Sequence, residues 1–442
     1  RDGVEEHRKR DAVRSGCPIG LPFTVEAVRR FRQLAFAVHR STRGVACLML
    51  APLSCLLAAV GVAHDRTLQP DGLQLRDLET HGFYASSAEA SGLFTGCNYS
   101  VTKEELQQLP RLPGMILLGA QKAGTSSMGS AAGHPLFCHS TKPELHFFDR
   151  MSFAQKKIGA ADLRGYLSLW EKKKEPCHAD EPLFEKSPGY LSQAWTAVRL
   201  CEALHHPKLA VTLRDPVSRA YSSFYQAKLS RRDRINVTQT PEGFHALATL
   251  EIAIVKQCGG LFDGDPAVDA ARAPTFAQCC AGVAAAHGQR DWAGCTCEIH
   301  SGGDNDSGGD NDNSLWWRHS DYQCGYYGSK LADMVRNSIY VTQLRAYYRY
   351  HRPDDLLIFD MADTITNLDG VLKQMALSAS SHQITPERTQ LVRQQSIGPK
   401  HANGHHYGPM LNETKDMLTT FFAPYNDELF ALIGRELWLE KR

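Results

Sequence analysis

The chain has 442 residues and 43% hydrophobic content, enough to bury one large core with decoration. Its 49 basic and 48 acidic residues leave a net charge of +1, which excludes a chain-wide basic surface. Any anion-binding character is therefore local, and no nucleic-acid partner is expected.

Residues 1–44 are basic and poorly periodic, and read as a flexible cytosolic leader. Val45 to Ala63 is an uncharged apolar run of nineteen residues, preceded by Arg29, Arg30, Arg32, Arg40 and Arg43 and followed by Asp65. That length just spans a bilayer, and the arginines predict a type II signal anchor with everything downstream in a lumen. A cleaved signal peptide or an organellar presequence is the competing reading, given the long basic leader and Pro52. Because the chain begins at Arg1 rather than Met, the start of the leader is left open. Residues 64–112 read as a stem that needs no fold. Four glycosylation sequons, at Asn98, Asn236, Asn305 and Asn412, follow the apolar run, as do ten of the thirteen cysteines. In an oxidising lumen those cysteines read as disulfides.

From Pro113 onward one catalytic domain, residues 113–442, is expected. The apolar run Met115 to Leu118 predicts a strand, and the loop Gly119 to Ser127 (GAQKAGTSS) follows it. This loop keeps the glycine spacing of a phosphate-binding loop, but Thr125 stands where an ATP-binding loop has its lysine. The lysine lies inside the loop, at Lys122, which weakens a kinase reading. Lys122 is a candidate cation for a phosphate-like group, and Ala123, Gly124, Thr125, Ser126 and Ser127 would supply amides and hydroxyls at the start of a helix running to Ala132. Glu144, His146 and the pair Glu185-Lys186 follow, with helices expected over 162–173 and 194–204.

Leu209 to Leu213 predicts a buried strand. Asp215 then caps a helix whose first residue is Pro216. Arg214 at the strand's end and Ser222 two turns into the helix would share one phosphate; Arg219 reads as structural. Two anion sites on one sheet imply a doubly phosphorylated nucleotide. The alternation of strands and helices argues a parallel sheet with helices on both faces. Residues about 240–325 form a cysteine-rich insert, within which the repeat 302–313 reads as a disordered acidic loop rather than a calcium site. A long helix over Tyr326 to His351, a strand over Leu356 to Phe359 and a helix over Leu368 to Leu377 complete the pattern.

The loop around Lys122 and the strand-helix unit at Arg214, in this order and about ninety residues apart, resemble the nucleotide-binding elements of sulfotransferases that use 3′-phosphoadenosine 5′-phosphosulfate (PAPS). The segments around Glu144 and Glu185 to Tyr190 are similar to the heparan and chondroitin branch of Golgi carbohydrate sulfotransferases. The tail from Tyr407 to Leu429 resembles the N-acetylgalactosamine 4-sulfate 6-O-sulfotransferases. The resemblance covers roughly 113–442 and thins across the insert. It implies a P-loop-like α/β sulfotransferase fold, PAPS as donor, a glycan hydroxyl as acceptor and a Golgi membrane location with a luminal catalytic domain.

The resemblance also implies Glu144 as the base that takes the acceptor's proton, with Lys186 near the transferred sulfonate. His146 is the competing base, since residues i and i+2 of a strand share a face and imidazole titrates near neutrality. No metal is required, because Lys122 and hydrogen-bond donors can neutralise the sulfonate. Where heparan-type relatives have a Lys-Gly-Arg turn, this chain departs, with Asn403-Gly404-His405. A basic lid would here come from Lys400, His401, His405 and His406 around Gly404. A non-catalytic nucleotide- or glycan-binding relative, or a sulfotransferase for a different polysaccharide, a protein tyrosine or a small molecule, is the alternative.

Overall fold

A computed structural model of the chain describes residues 92–129, 136–149, 157–172, 176–178, 181–226, 237–259, 266–289, 297–298, 323–324, 334–379 and 407–438. All of them belong to the unit Asp71–Arg442. The leader 1–44, the apolar run 45–63, the sequons at Asn236 and Asn305, the acidic repeat 302–313 and the segment holding Lys400, Gly404 and His405 lie outside the described residues. Among the described residues no helix is long and apolar enough to cross a membrane.

In chain order the elements are α1 (Lys103–Gln107), β1 (Pro113–Gly119), α2 (Thr125–Gly129), β2 (Cys138–His139), α3 (Ala160–Glu171), β3 (Leu183–Lys186), α4 (Ala194–Leu204), β4 (Leu209–Leu213), α5 (Pro216–Gln226), α6 (Pro241–Cys258), α7 (Pro266–Ala286), β5 (Cys297–Glu298), β6 (Gln323–Cys324), α8 (Tyr340–Tyr350), β7 (Leu356–Asp360), α9 (Met361–Thr366), α10 (Leu368–Ala379) and α11 (Asn412–Ile433). Five strands form a parallel sheet in the order β2-β3-β1-β4-β7. The expected parallel sheet flanked by helices is therefore the observed architecture.

The strands are apolar on both faces because both faces are covered. Ile116, Leu118, Leu209, Val211, Leu213, Leu356 and Ile358 enter one large core with α3, α4, α5, α8 and α11. The alternate residues Met115, Leu117, Ala210, Leu357 and Phe359 enter a second core, against Leu368, Val371, Leu372 and Met375 of α10. At roughly 1.5–3 kcal/mol for each fully buried aliphatic or aromatic side chain, this two-sided burial outweighs any single polar contact in holding the sheet. The insert adds a smaller cluster in which Leu250 and Ile254 of α6 meet Phe276 and Val283 of α7.

Three local expectations are corrected. Of the helix expected over Tyr326 to His351, residues 326–333 lie outside the described residues, and within the described part the helix begins at Tyr340, after a 3₁₀ turn at Arg336–Ser338. The buried carboxylate of Glu251 accepts the amides of Met334, Val335 and Arg336 at 3.1, 2.6 and 3.4 Å. Amides anchored on a carboxylate start a turn rather than continue an earlier helix. The segment from Glu144 to Phe148 is a loop rather than a strand, and His146 has φ 49°. Residues 92–112, read from sequence as the end of a stem, pack onto the domain: Val101 is fully buried, and Thr102 and Glu105 form a reciprocal cap on α1.

Disulfides join Cys97 to Cys201, Cys138 to Cys177 and Cys258 to Cys279, and Cys280 is disulfide-bonded too.

Candidate active site

In a parallel sheet the loops beyond the strands' carboxyl ends converge, and neighbouring strands place their loops side by side. Here β3, β1 and β4 are adjacent, so Lys186, the Gly119–Ser127 loop and Arg214 emerge together. The loop turns sharply, with Lys122 at φ 71° and Gly124 at φ 86°. A side chain at Gly124 would be strained, and its Cβ would come within 3.1 Å of Met361.

Neighbouring strands hold the loop by its backbone. Thr212 Oγ1 donates to the carbonyl of buried Ala123 at 3.0 Å, and the amide of Ala120 donates to the Thr212 carbonyl at 2.8 Å. Arg214 Nη1 donates to the Lys122 carbonyl at 3.3 Å. Arg219 Nε donates to the Gln121 carbonyl at 3.0 Å, and its Nη1 to that of Met334 at 2.9 Å. Arg219 is 2% exposed and braces the loop from beneath, the structural role read from sequence. Asp215 accepts the Ser218 amide at 2.9 Å, the cap predicted for α5.

These contacts concentrate positive charge. The Lys122 amine is pushed below its ordinary pKa by burial first, then by the charges of Arg214 and Arg219. Arg214 Nε is buried and, among the described residues, has no hydrogen-bond partner. An anion in this loop would relieve both conditions, so the residues fit a phosphate or sulfonate group. Thr125 is buried, Ser126 is exposed, and the amide of half-buried Ser127 is spent on the Gly124 carbonyl at 3.0 Å. Ser222 is buried on α5 and makes no hydrogen bond with Arg214.

Beside the loop lies a charged relay. Lys186 Nζ lies 2.7 Å from Glu144 Oε1. Glu144 Oε2 lies 3.3 Å from His146 Nε2, and His146 Nδ1 lies 2.7 Å from Oδ2 of buried Asp149. Burial opposes ionisation of Glu144, but the His146 hydrogen bond and the Lys186 charge outweigh it and hold the carboxyl at about 2. Burial likewise opposes charge on His146, yet Asp149 and Glu144 outweigh it and raise the imidazole to about 10. Asp149 was missed from sequence, although it lies only three residues after His146.

The two groups of residues are contiguous. A Cβ added at Gly129, the last residue of α2, would come within 2.7 Å of Lys186 Cδ and 2.8 Å of its Cε. The helix that follows the Lys122 loop therefore lies directly against the lysine that pairs with Glu144. Phe147 and Phe148 are core residues, as expected.

No protein-family model matches the chain. Over 115 residues it is 30% identical to the membrane-associated sulfotransferase kil1 of Dictyostelium discoideum, a match covering 26% of this chain and 23% of that protein. Over 135 residues it is 30% identical to heparan sulfate glucosamine 3-O-sulfotransferase 5 of Mus musculus and of Homo sapiens, a match covering 30% of this chain and 35% of each relative. The chain thus matches about a third or less of these relatives' lengths, and each of them is a sulfotransferase. Among solved structures, a sulfotransferase from Alicyclobacillus acidocaldarius is 19% identical with a TM-score of 0.41, covering 75% of this chain and 100% of that one. The sulfotransferase domain from the curacin biosynthetic pathway is 14% identical with a TM-score of 0.30, covering 74% of this chain and 100% of that one. Likenesses at these scores do not bear on the chemistry.

Proposed function

We propose that this chain transfers the sulfonate of PAPS to a hydroxyl of a glycan acceptor, with Glu144 as the general base. The observation that carries the reading is the contact of Lys186 with Glu144 beside the cationic Lys122 loop, which supports a base for an acceptor's proton close to the cations of a transferring anion. Sulfuryl transfer builds charge on the group in flight and on the departing phosphate, so positioned cations supply most of the catalysis. Lys122 neutralises the 5′-phosphosulfate, and Arg214 and Ser222 take the 3′-phosphate.

As an imidazolium His146 has no lone pair to accept a proton, which favours Glu144 as the base. A carboxylate held at about 2 is a weak base while Lys186 stays on it. Movement of Lys186 toward the sulfonate would raise the basicity of Glu144 when the donor is in place. His146, tied to Asp149, keeps the carboxylate oriented.

The heparan sulfate relatives favour a sulfated polysaccharide acceptor, and the tail from Tyr407 leaves a sulfated galactosaminoglycan as the acceptor first tested. The relative described as membrane-associated favours the anchor at 45–63, with a luminal catalytic domain in the Golgi. The test is incubation of the protein with radiolabelled PAPS and a panel of defined and desulfated glycans. Label in a glycan is expected; nucleotide binding without turnover on any acceptor would instead indicate a non-catalytic binding protein.

A further inference from the structure

Next to Lys186 on β3, and on the opposite face of the strand, the side chain of Glu185 is 1% exposed. An acidic group buried this deeply is costly unless its oxygens are satisfied. Three hydroxyls satisfy them. Tyr190 donates to Oε1 at 2.6 Å, Ser187 donates to the same oxygen at 3.0 Å, and Tyr166 donates to Oε2.

Two of these hydroxyls also accept. Ser187 Oγ takes the amides of Leu145 and His146 at 3.2 and 3.0 Å. Tyr190 Oη takes those of Phe147 and Phe148 at 2.8 and 3.1 Å. Four consecutive amides of the loop that carries Glu144, His146 and Asp149 are thus held by two hydroxyls, and both hydroxyls point their protons at one carboxyl oxygen.

We infer that Glu185 is a positioning residue: by fixing the hydroxyl direction of Ser187 and Tyr190, it sets the loop geometry that brings Glu144 to Lys186 and His146. The loop lies outside the sheet, and His146 holds a left-handed backbone conformation within it. A hydroxyl whose proton is already directed elsewhere presents only lone pairs to the loop, so each amide meets an acceptor without competition. Burial pushes the Glu185 carboxyl up, against the pull of its three hydroxyl partners. An amide at this position retains an oxygen for Ser187 and Tyr190 and offers N–H to Tyr166, whose hydroxyl then accepts. Gln is therefore expected to keep the network, and an apolar side chain to dismantle it.

The inference rests on the proposed sulfonate transfer for its kinetic readout, so the experiment pairs kinetics with amide hydrogen exchange. In Glu185→Leu, exchange should rise at residues 145–148 and kcat should fall by about 10²-fold, the cost of a misplaced catalytic group. The KM for PAPS should stay within about twofold, since the Lys122 loop is untouched. Glu185→Gln should restore both exchange and kcat. Ser187→Ala serves if Glu185→Leu does not fold, and it should release the amides of Leu145 and His146 while Phe147 and Phe148 stay protected. Unchanged exchange in folded Glu185→Leu or in Ser187→Ala would overturn the inference, as would Glu185→Gln behaving like Glu185→Leu. If exchange follows these expectations in a protein that transfers no sulfonate, the positioning of the loop stands and the sulfotransferase reading fails.

Discussion

His146 joins two carboxylates, with Nδ1 2.7 Å from Asp149 Oδ2 and Nε2 3.3 Å from Glu144 Oε2. The arrangement makes the histidine a charged strut between a buried acid and an accessible one. Its two candidate roles, base and support, therefore separate experimentally.

Glu144→Gln keeps size and polarity but removes basicity. Turnover should fall by about 10²–10⁴, the span of a general-base contribution. Affinity for the desulfated nucleotide, measured by calorimetry, should be nearly unchanged. His146→Asn should cost less. The reverse ranking would transfer the base to His146.

Lys122→Ala should lower kcat by about 10²–10³, the usual cost of one positioned charge-stabilising group. Its thermal melting should match the parent, because a half-buried loop lysine contributes charge rather than packing.

Arg214→Ala should act mainly on the donor, raising the KM for PAPS with a smaller change in kcat. An unaltered donor KM would remove the 3′-phosphate from this residue.

Gly129→Ala tests contact between the two parts of the site. Gly129 closes α2 rather than lying inside it, so alanine gains little of the roughly 0.5–1 kcal/mol it gains in mid-helix, and the melting temperature should hold. The new methyl group must push the flexible end of Lys186 aside, and kcat should fall toward that of Lys186→Ala. Equal activity of Gly129→Ala and parent would mean that the Lys186 ammonium does not need its observed position.

The relay also fixes a pH window. Glu144 is held at about 2 against an ordinary 4.5, so its stabilisation is complete above 4.5 and is lost as pH falls through about 2. His146 is raised from 6.5 to about 10, so its stabilisation is complete below 6.5 and is lost as pH rises through about 10. The difference in Tm between the parent and His146→Asn should be largest between pH 4.5 and 6.5 and should shrink on both sides. A difference independent of pH would show that the histidine acts by packing alone.

What was legible in the sequence was what is encoded locally. The Asp215-Pro216 cap, the apolar runs that became β1, β4 and β7, and the glycine-rich loop around Lys122 each follow from a few adjacent residues. The path of 144–148 was not legible as a loop, since a run containing Leu145, Phe147 and Phe148 is indistinguishable from a strand until the hydroxyls of Ser187 and Tyr190 claim its amides. The start of α8 depends on Glu251, some eighty residues earlier in the chain. Gly129 gave no signal at all, because a glycine's importance here is the space it leaves for Lys186.

The disulfide between Cys97 and Cys201 bears on how the domain can be trimmed. Cys201 is fully buried on α4, and its partner precedes the first strand of the sheet by sixteen residues, while the amides of Thr95 and Gly96 bond the carbonyl of Arg349. A recombinant fragment begun at Pro113, where the sheet begins, would leave Cys201 without its disulfide partner and strip the end of α8 of its cover. Soluble secreted versions should therefore start upstream of residue 92, and aggregation through mispaired thiols is the expected fate of shorter ones.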